Sequence, residues 1–573
     1  MPLSFGDYLP QDFAKPLPIL LALLIAASLG IEAVQAHLPF HAQSATAAIA
    51  PETQPLQPLS DQERTPAPTA SASPTTSQPI GPDGGVPPLE SRDPSLAPAG
   101  IAITTLPQAL AQTYRTNPLL MARRAELRRL DSGVGLERAA GRPQVFVGAQ
   151  LDEELYTTRP LGQRGRNLSA NADVSQVLFA GGRIRNAVRA AETRVLAGRA
   201  DLLATEGDLL TETVAAYADV LRDREIRDLN LAQVRILSAN LQSTEARFRV
   251  RDLTLTDVAQ SEARLVVVQG NLALAQARLE TSEVNFERVV GARPGPLSPL
   301  PPLPPMPMTA EEAVEVALSN NADIAAFAAR ARAADYDVSS RKGERAPTLA
   351  IVSSTDYDNA LGTADRAVGV PAGTLPNQAT NITSGLALRL PLYQGGAASA
   401  RVRQAEEFRA QLAEEAIAAE RLAIADARSA FSIWRRSLIA ISFNERAVVA
   451  NERALDSVRV EQTVGARSIL DVLNAEQELL VSQTALVSAR RDAYVAAFQL
   501  LDTMGAAEAA DLGLDVGSLY DPRAGYRRRA ASWSDWSDGP RHPVASTRTV
   551  SADAPSPVAD LGARAARRVG PDE

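Results

Sequence analysis

The stretches "LFAGG" (178–182) and "LYQGG" (392–396) are versions of one corner, 214 residues apart. Each ends an alternating run and opens a long Ala-rich one. Paired glycines let a chain pass from extended to helical without a side-chain clash. Working outward, Thr105 to Pro143 aligns without gaps to Thr309 to Pro347 at an offset of 204, with Asn117 on Asn321. From Gly181 the offset becomes 214 and holds to Gly291, which falls on Gly505. Val188/Val402, Glu192/Glu406, Asp257/Asp471, Val258/Val472 and Glu262/Glu476 match along that line. The chain is therefore an internal duplication. The second copy carries its extra residues before Gly395, where "NALGTADRAVGVPAGTLPNQ" (359–378) reads as an exposed loop.

Each copy has the same grammar. Thr105-x-x-Gln108 and Thr309-x-x-Glu312 are capping boxes that open a helix, which is expected to run unbroken to about Gly141 or Lys342. Two strands follow. "PQVFVGAQL" (143–151) sets Val145, Val147, Ala149 and Leu151 on one face, and "TSGLALRLPLY" (383–393) does the same with Leu386, Leu388, Leu390 and Leu392. "ANADVSQVLF" (170–179) and "PTLAIVSSTDY" (347–357) alternate less cleanly. Alternation of this length suits a strand with lipid on one side and water on the other, although a soluble hairpin reads equally well. Phe179 and Tyr393, at matching strand ends, are candidates for the membrane interface. The corners at Gly181, Gly182, Gly395 and Gly396 then open the longest helices. Residues 182–249 contain no proline, and at 1.5 Å per residue they reach roughly 100 Å. Leu203, Leu210, Val214, Tyr217 and Leu221 keep a heptad-like spacing there.

The lengths imply an assembly. Helices at 105–141 and 255–290, stacked end to end, match the long helix, so each copy supplies two parallel columns and two strands. Four strands cannot close a barrel, because about eight are needed even to fill the interior with side chains. Edges open to lipid are forbidden. Three protomers pooling their strands would give a 12-stranded barrel continued by an α-helical tube. The fold class expected is thus mainly α with a membrane β-barrel.

Composition narrows the function. The chain has no cysteine, and its histidines, His37, His41 and His542, all lie in the low-complexity ends. The repeats therefore hold no imidazole for a Ser-His-Asp triad or a zinc site, and no thiolate ligand. We expect no metal, no cofactor and no enzyme activity, and carboxylate pairs on helices read as solvated faces rather than a hydrolase site. A net charge of −9 argues against nucleic acid as a partner. At the N-terminus, "ILLALLIAASLGI" (19–31) behind Lys15, followed by "AVQA" (33–36), has the pattern of an export signal. The domain reading is a signal peptide over 1–36, a disordered Pro/Ser/Thr-rich linker over 37–100, a first repeat over 101–292, a Pro-rich linker over 293–308, a second repeat over 309–520 and a disordered tail over 521–573.

The duplicated corner, together with "TVGARSILDVLNAEQELLVSQTALVSAR" (463–490), resembles the TolC-type outer-membrane factors. The resemblance covers about 101–520. It implies a homotrimeric channel-tunnel in the outer membrane of a Gram-negative bacterium, with its helices in the periplasm. Such a duct docks on a periplasmic adaptor and an inner-membrane pump or ABC exporter, and serves drug efflux or type I protein secretion. It further implies that the turns between helices are the periplasmic tips. Asp471 and Asn474 would ring the closed aperture, Arg467 would lock against Asp257, and Val250, Leu253, Thr254, Val464, Gly465 and Ser468 would meet the adaptor. From the residues alone, Thr254-x-x-Asp257 and Ser468-x-x-Asp471 are capping boxes, and Gly465 suits a left-handed helix cap. Arg251 stands where the second copy has Gly465, so the first turn is expected to close differently. The competing reading is a periplasmic or surface coiled-coil protein with a structural or adhesive role.

Overall fold

The computed structural model describes residues 103–153, 166–363, 376–514, 517–544 and 546. The expected signal peptide and N-terminal linker, and most of the 359–378 loop, lie outside them. The described residues all belong to one compact unit, Gly85–Glu573.

The first helix of each copy is two helices, not one. α1 (Leu106–Thr116) and α2 (Pro118–Ala139) break at Asn117, and α5 (Ala310–Asn320) and α6 (Ala322–Gly343) break at Asn321. Both asparagines are extended in backbone and cap the helix behind them: Leu119 N donates to Asn117 Oδ1 at 2.9 Å, and Asp323 N to Asn321 Oδ1 at 3.0 Å. Pro118 occupies the first helical position, where its missing N–H would be unpaired anyway. The break serves the stacking of columns. Asn117 Nδ2 donates to Val289 O at 2.9 Å, and Asn321 Nδ2 to Thr503 O at 3.0 Å. These carbonyls end the second short helices, α4 (Leu255–Val290) and α8 (Ile469–Thr503). Between the short helices run α3 (Arg183–Arg249) and α7 (Ala397–Thr463), each of 67 residues. Packing orders the wall as α2 and α4, then α3, then α6 and α8, then α7. Glu312 closes only part of its expected box: its N–H reaches Thr309 Oγ1 at 3.1 Å, while its carboxylate accepts from Met308 N.

At the corners Gly181 and Gly182 have φ of 59° and 78°, and Gly395 and Gly396 have 60° and 81°. All four sit in the left-handed region where a side chain is strained. Gly181 is doubly constrained, because a Cβ there would collide with Ala346.

Four strands form one antiparallel sheet in chain order: β1 (Gln144–Glu153), β2 (Arg166–Ala180), β3 (Thr348–Asn359) and β4 (Gln378–Arg389). The register separates two faces. Val145, Val147, Ala149 and Leu151 stand opposite Val174, Ala172, Ala170 and Leu168. Across the other pairs Ile351 meets Leu386 and Thr355 meets Ile382. The second face carries Asn171, Asp173, Asp356, Asp358, Asn381 and Thr383, joined by hydrogen bonds such as Asn167 to Asp358 and Ser354 to Thr383. The middle strands thus alternate more cleanly than their sequences suggest. β2 does so until a bulge between Val177 and Phe179. A one-residue insertion reverses the side-chain parity. It moves Phe179 from the polar set to a place opposite Leu349, which is itself opposite Leu388.

The main core lies at the helix joints. Tyr217, Phe286, Leu120, Leu127 and Leu210 are fully buried there, and Tyr217 donates its hydroxyl to Ser298 O at 2.7 Å. This holds the 293–308 linker on the wall. The expected disordered tail is, over 521–533, a strap on the first copy, while 534–544 are exposed. α9 (Tyr526–Ala531) packs on α2, and Arg529 reaches fully buried Asp131 at 2.6 Å. Arg124 lies between the rings of Tyr114 and Tyr520, 4.5 and 4.9 Å from their centroids. The strap was hard to read from sequence because its partners lie some 400 residues away.

Candidate functional site

The two interhelical turns end the long helices farthest from the sheet. In the first, Val250 caps α3 and Arg251 takes a φ of 65°. Arg251 N donates to Phe248 O and Asp252 N to Arg247 O, both at 2.9 Å. In the second, Val464 caps α7 and Gly465 takes a φ of 79°. Gly465 N donates to Gln462 O at 3.1 Å and Ala466 N to Glu461 O at 2.8 Å. Both are Schellman turns. The expectation that Arg251 forces a different closure is wrong: the arginine adopts the glycine's conformation, and the paired carbonyls of the helix end hold it there.

Both turns then open the next helix with a full capping box. Thr254 N and Oγ1 lie 2.9 and 2.8 Å from Asp257 Oδ2. Ser468 N and Oγ lie at the same distances from Asp471 Oδ2. The backbone and hydroxyl donors of Thr254 hold the Asp257 carboxyl below its ordinary range, and the Ser468 hydroxyl and N–H do the same for Asp471. Each turn also carries one ion pair, with its polarity swapped. Arg247 on α3 meets Asp252 in the loop at 2.7 Å, whereas Glu461 on α7 meets Arg467 in the loop at 2.8 Å. Within the protomer Arg467 thus engages Glu461 and not Asp257. Val250, Leu255 and Val464 are 75%, 68% and 75% exposed, a small apolar cap on an otherwise charged tip.

Behind the turns the copies are tied by Asn474 and by groups to which sequence reading assigned no role. Arg264 on α4 donates to Asn474 Oδ1 at 2.8 Å and also to Gln477, both on α8. Glu476 is buried and accepts from Arg459 at 3.2 Å, from Asn240 at 3.3 Å and from Gln233 at 3.4 Å. Asn474 is therefore occupied inside the protomer. The signal available was the spacing of Gln233 and Asn240, one heptad apart on the buried side of α3.

A second cluster sits at the column joint, where α3, α6, α7 and α8 line a half-open cleft of about 710 Å³. Burial, then the charges of Asp208 and Asp323, push Asp502 up to about 7, and Asp502 shares a hydrogen bond with Asp208. Glu508 also rises to about 7, through burial and the nearby Asp511 and Glu206. Gly207 makes the niche, since a side chain there would strike the Asp502 carboxyl. Among the described residues no His/Cys/Asp/Glu group is arranged to hold a metal, and no helix is long and apolar enough to cross a membrane.

A sequence profile of the family described as outer membrane efflux protein matches residues 109–292 and again 313–506, once per repeat. The chain belongs to the outer membrane efflux protein family. The outer membrane efflux protein BepC of Brucella suis is 32% identical over 303 residues, which are 53% of this chain and 64% of that relative. The alignment thus spans less than two thirds of BepC. The outer membrane protein TolC of Vibrio cholerae is 24% identical over 322 residues, 56% of this chain and 72% of that protein. The crystal structure of the Vibrio cholerae outer membrane protein VceC superposes with a TM-score of 0.59 at 22% identity, covering 70% of this chain and 96% of that one. The last comparison establishes the fold. A helical wall with a small antiparallel sheet is the architecture this efflux family shares.

Proposed function

We propose that the chain is one third of a passive exit duct in the outer membrane of a Gram-negative bacterium, its sheet in the membrane and its helices in the periplasm. The observation that carries this is the sheet. It has one apolar and one polar face, and β1 and β4 are open edges exposed on both faces. A soluble scaffold would bury the apolar face. Here Val147, Leu151, Leu386 and Leu388 are 65–79% exposed. Pooling three sheets pairs β4 of one protomer with β1 of the next and leaves no edge. α7 supports the same assembly: it leaves Phe408, Leu422, Ile433, Phe443 and Val460 exposed along its length, a row that fits the neighbouring wall.

In this reading the polar sheet face lines the lumen, and the turns form the far mouth. Three copies of Asp471 would gather near the axis as an anionic ring. Asn474, Arg467 and Asp257 would set how firmly the mouth closes. Val250, Leu253, Thr254, Val464, Gly465 and Ser468 would be the surface offered to a periplasmic adaptor, with an inner-membrane pump or ABC exporter supplying the energy. The duct performs no catalysis, and its cargo is a drug-like efflux substrate or a type I secreted protein, as the pump dictates.

The test is the mass of purified protein in detergent, followed by conductance in a planar bilayer. A trimer with discrete conductance steps is expected. A soluble, non-conducting species would leave the coiled-coil scaffold instead. The gate assignment has its own test: Asp471→Ala with Arg467→Ala should raise single-channel conductance, and unchanged conductance in an intact trimer would remove it.

A further inference from the structure

The segment "YRRRAASWSDWSDG" (526–539) belongs to neither site above. We propose that its residues 532–536 form an anchor lying among the anionic phospholipid headgroups on the periplasmic side of the membrane. This rests on the duct reading, and goes beyond it by giving the C-terminal strap a lipid partner.

The position of the segment follows from its tethers. Arg529 is held by buried Asp131, Arg138 Nη1 donates to Ala530 O at 3.3 Å, and Arg142 donates to Ser532 O. The Arg142 guanidinium also lies 4.6 Å from the centroid of the Trp533 ring. Arg142 precedes β1 by two residues. Its neighbour Gly141 is against Ile184, the second residue of α3, where a Cβ would meet Ile184 Cγ2 at 3.3 Å. Trp533 is thus level with the strand-to-helix corner, the end of the sheet where the apolar band gives way to the helical wall.

The chemistry at that level suits a headgroup layer. The chain has three tryptophans; Trp434 is 8% exposed, whereas Trp533 and Trp536 are 65% and 98% exposed. An indole is an apolar body with one N–H donor, and it concentrates at membrane–water boundaries. Exposed apolar groups of the sheet end at the same height, with Phe179 at 51% and Tyr393 at 89%. The charge there is positive on balance, with Asp535 of the anchor itself offset by the Arg142 guanidinium beside it. Arg185 and Arg389 are exposed and form no ion pair among the described residues, while the nearby acid Glu344 is taken by Arg341 and Arg401. A basic rim below an apolar band attracts anionic headgroups. An open duct needs its inner face clear, which leaves the outer, lipid-flanked face for the strap.

The experiment uses the full trimer reconstituted in vesicles containing anionic phospholipid with a nitroxide quencher at the headgroup or deep in the acyl chain. The Trp533→Phe/Trp536→Phe variant is compared with the unaltered protein; both positions are exposed, so folding is expected to survive. The headgroup label should quench the unaltered protein more than the deep label does, because exposed tryptophans at this level would sit at the interface, and the difference should be lost in the variant. Equal quenching of protein and variant in conducting vesicles would overturn the anchor while leaving the duct intact. Stronger quenching by the deep label would overturn the headgroup placement. Failure to conduct at all would bring down the duct reading and the anchor with it.

Discussion

Arg251 occupies a backbone conformation in which an L-residue costs roughly 1–2 kcal/mol relative to its ordinary one. Its repeat-mate Gly465 has no such cost. The first turn nevertheless keeps the same two helix-end hydrogen bonds, so the strain is stored locally in an exposed tip. Arg251→Gly should relieve it, less the extra chain entropy glycine loses, leaving up to about 1 kcal/mol. Hydrogen exchange at the Asp252 amide, which donates to Arg247 O, should slow by up to about fivefold, while Gly465→Ala should speed exchange at the Ala466 amide. Asp131 presents the opposite case, a fully buried carboxylate whose ion-pair partner, Arg529, lies 398 residues away. Removing one member of a buried pair leaves an uncompensated charge and costs about 3–5 kcal/mol. Arg529→Ala should therefore free the strap, read as new proteolytic cleavage between 521 and 533, and Asp131→Asn in the same chain should restore much of the protection.

At the scale of elements, the joint between α6 and α8 is where carboxyls gather. Asp502 is held at about 7 by burial first and by Asp208 and Asp323 next, and Arg330 pairs instead with Asp201. A carboxyl whose folded pKa is raised is one the fold keeps neutral, so its ionisation opposes folding. Its contribution is full below the ordinary aspartate value near 4 and is lost as pH rises through about 7. Melting temperature should thus fall between pH 5 and pH 8, and Asp502→Asn should flatten the fall. At pH 8 the variant should be the more stable by on the order of 4 kcal/mol; equal pH profiles would mean the carboxyl ionises freely. The elements themselves were largely legible. Capping boxes, paired glycines and an offset shared by two copies are local signals, and they located the helices, corners and turns. What escaped was decided by tertiary contact. Asn117 reads in the sequence only as a match to Asn321, although Pro118 beside it marks a helix start; its side chain reaches the Val289 carbonyl of another helix. The bulge before Phe179 looks like lost alternation until β3 is laid beside β2.

For the whole molecule, that bulge and the register decide which surface meets lipid. Val147 is 79% exposed on the apolar face, whereas Gln150 projects from the other side beside Ser169, where Asp152 accepts its amide. An arginine on a lipid-facing barrel position costs about 2–4 kcal/mol near the midplane and less towards the interface. A trimer would incur that cost three times, since every protomer carries the substitution. Val147→Arg should therefore block insertion, leaving protein that lacks the heat-modifiable oligomer of an outer-membrane fraction. Gln150→Lys places a similar charge only three residues away, on the face assigned to the lumen, where water solvates it. It should insert normally and shift the reversal potential toward anions in a salt gradient. The two substitutions add the same charge at positions of opposite parity. If both insert, or both fail, the sheet does not have one lipid face and one water face, and the pooled barrel would have to be abandoned.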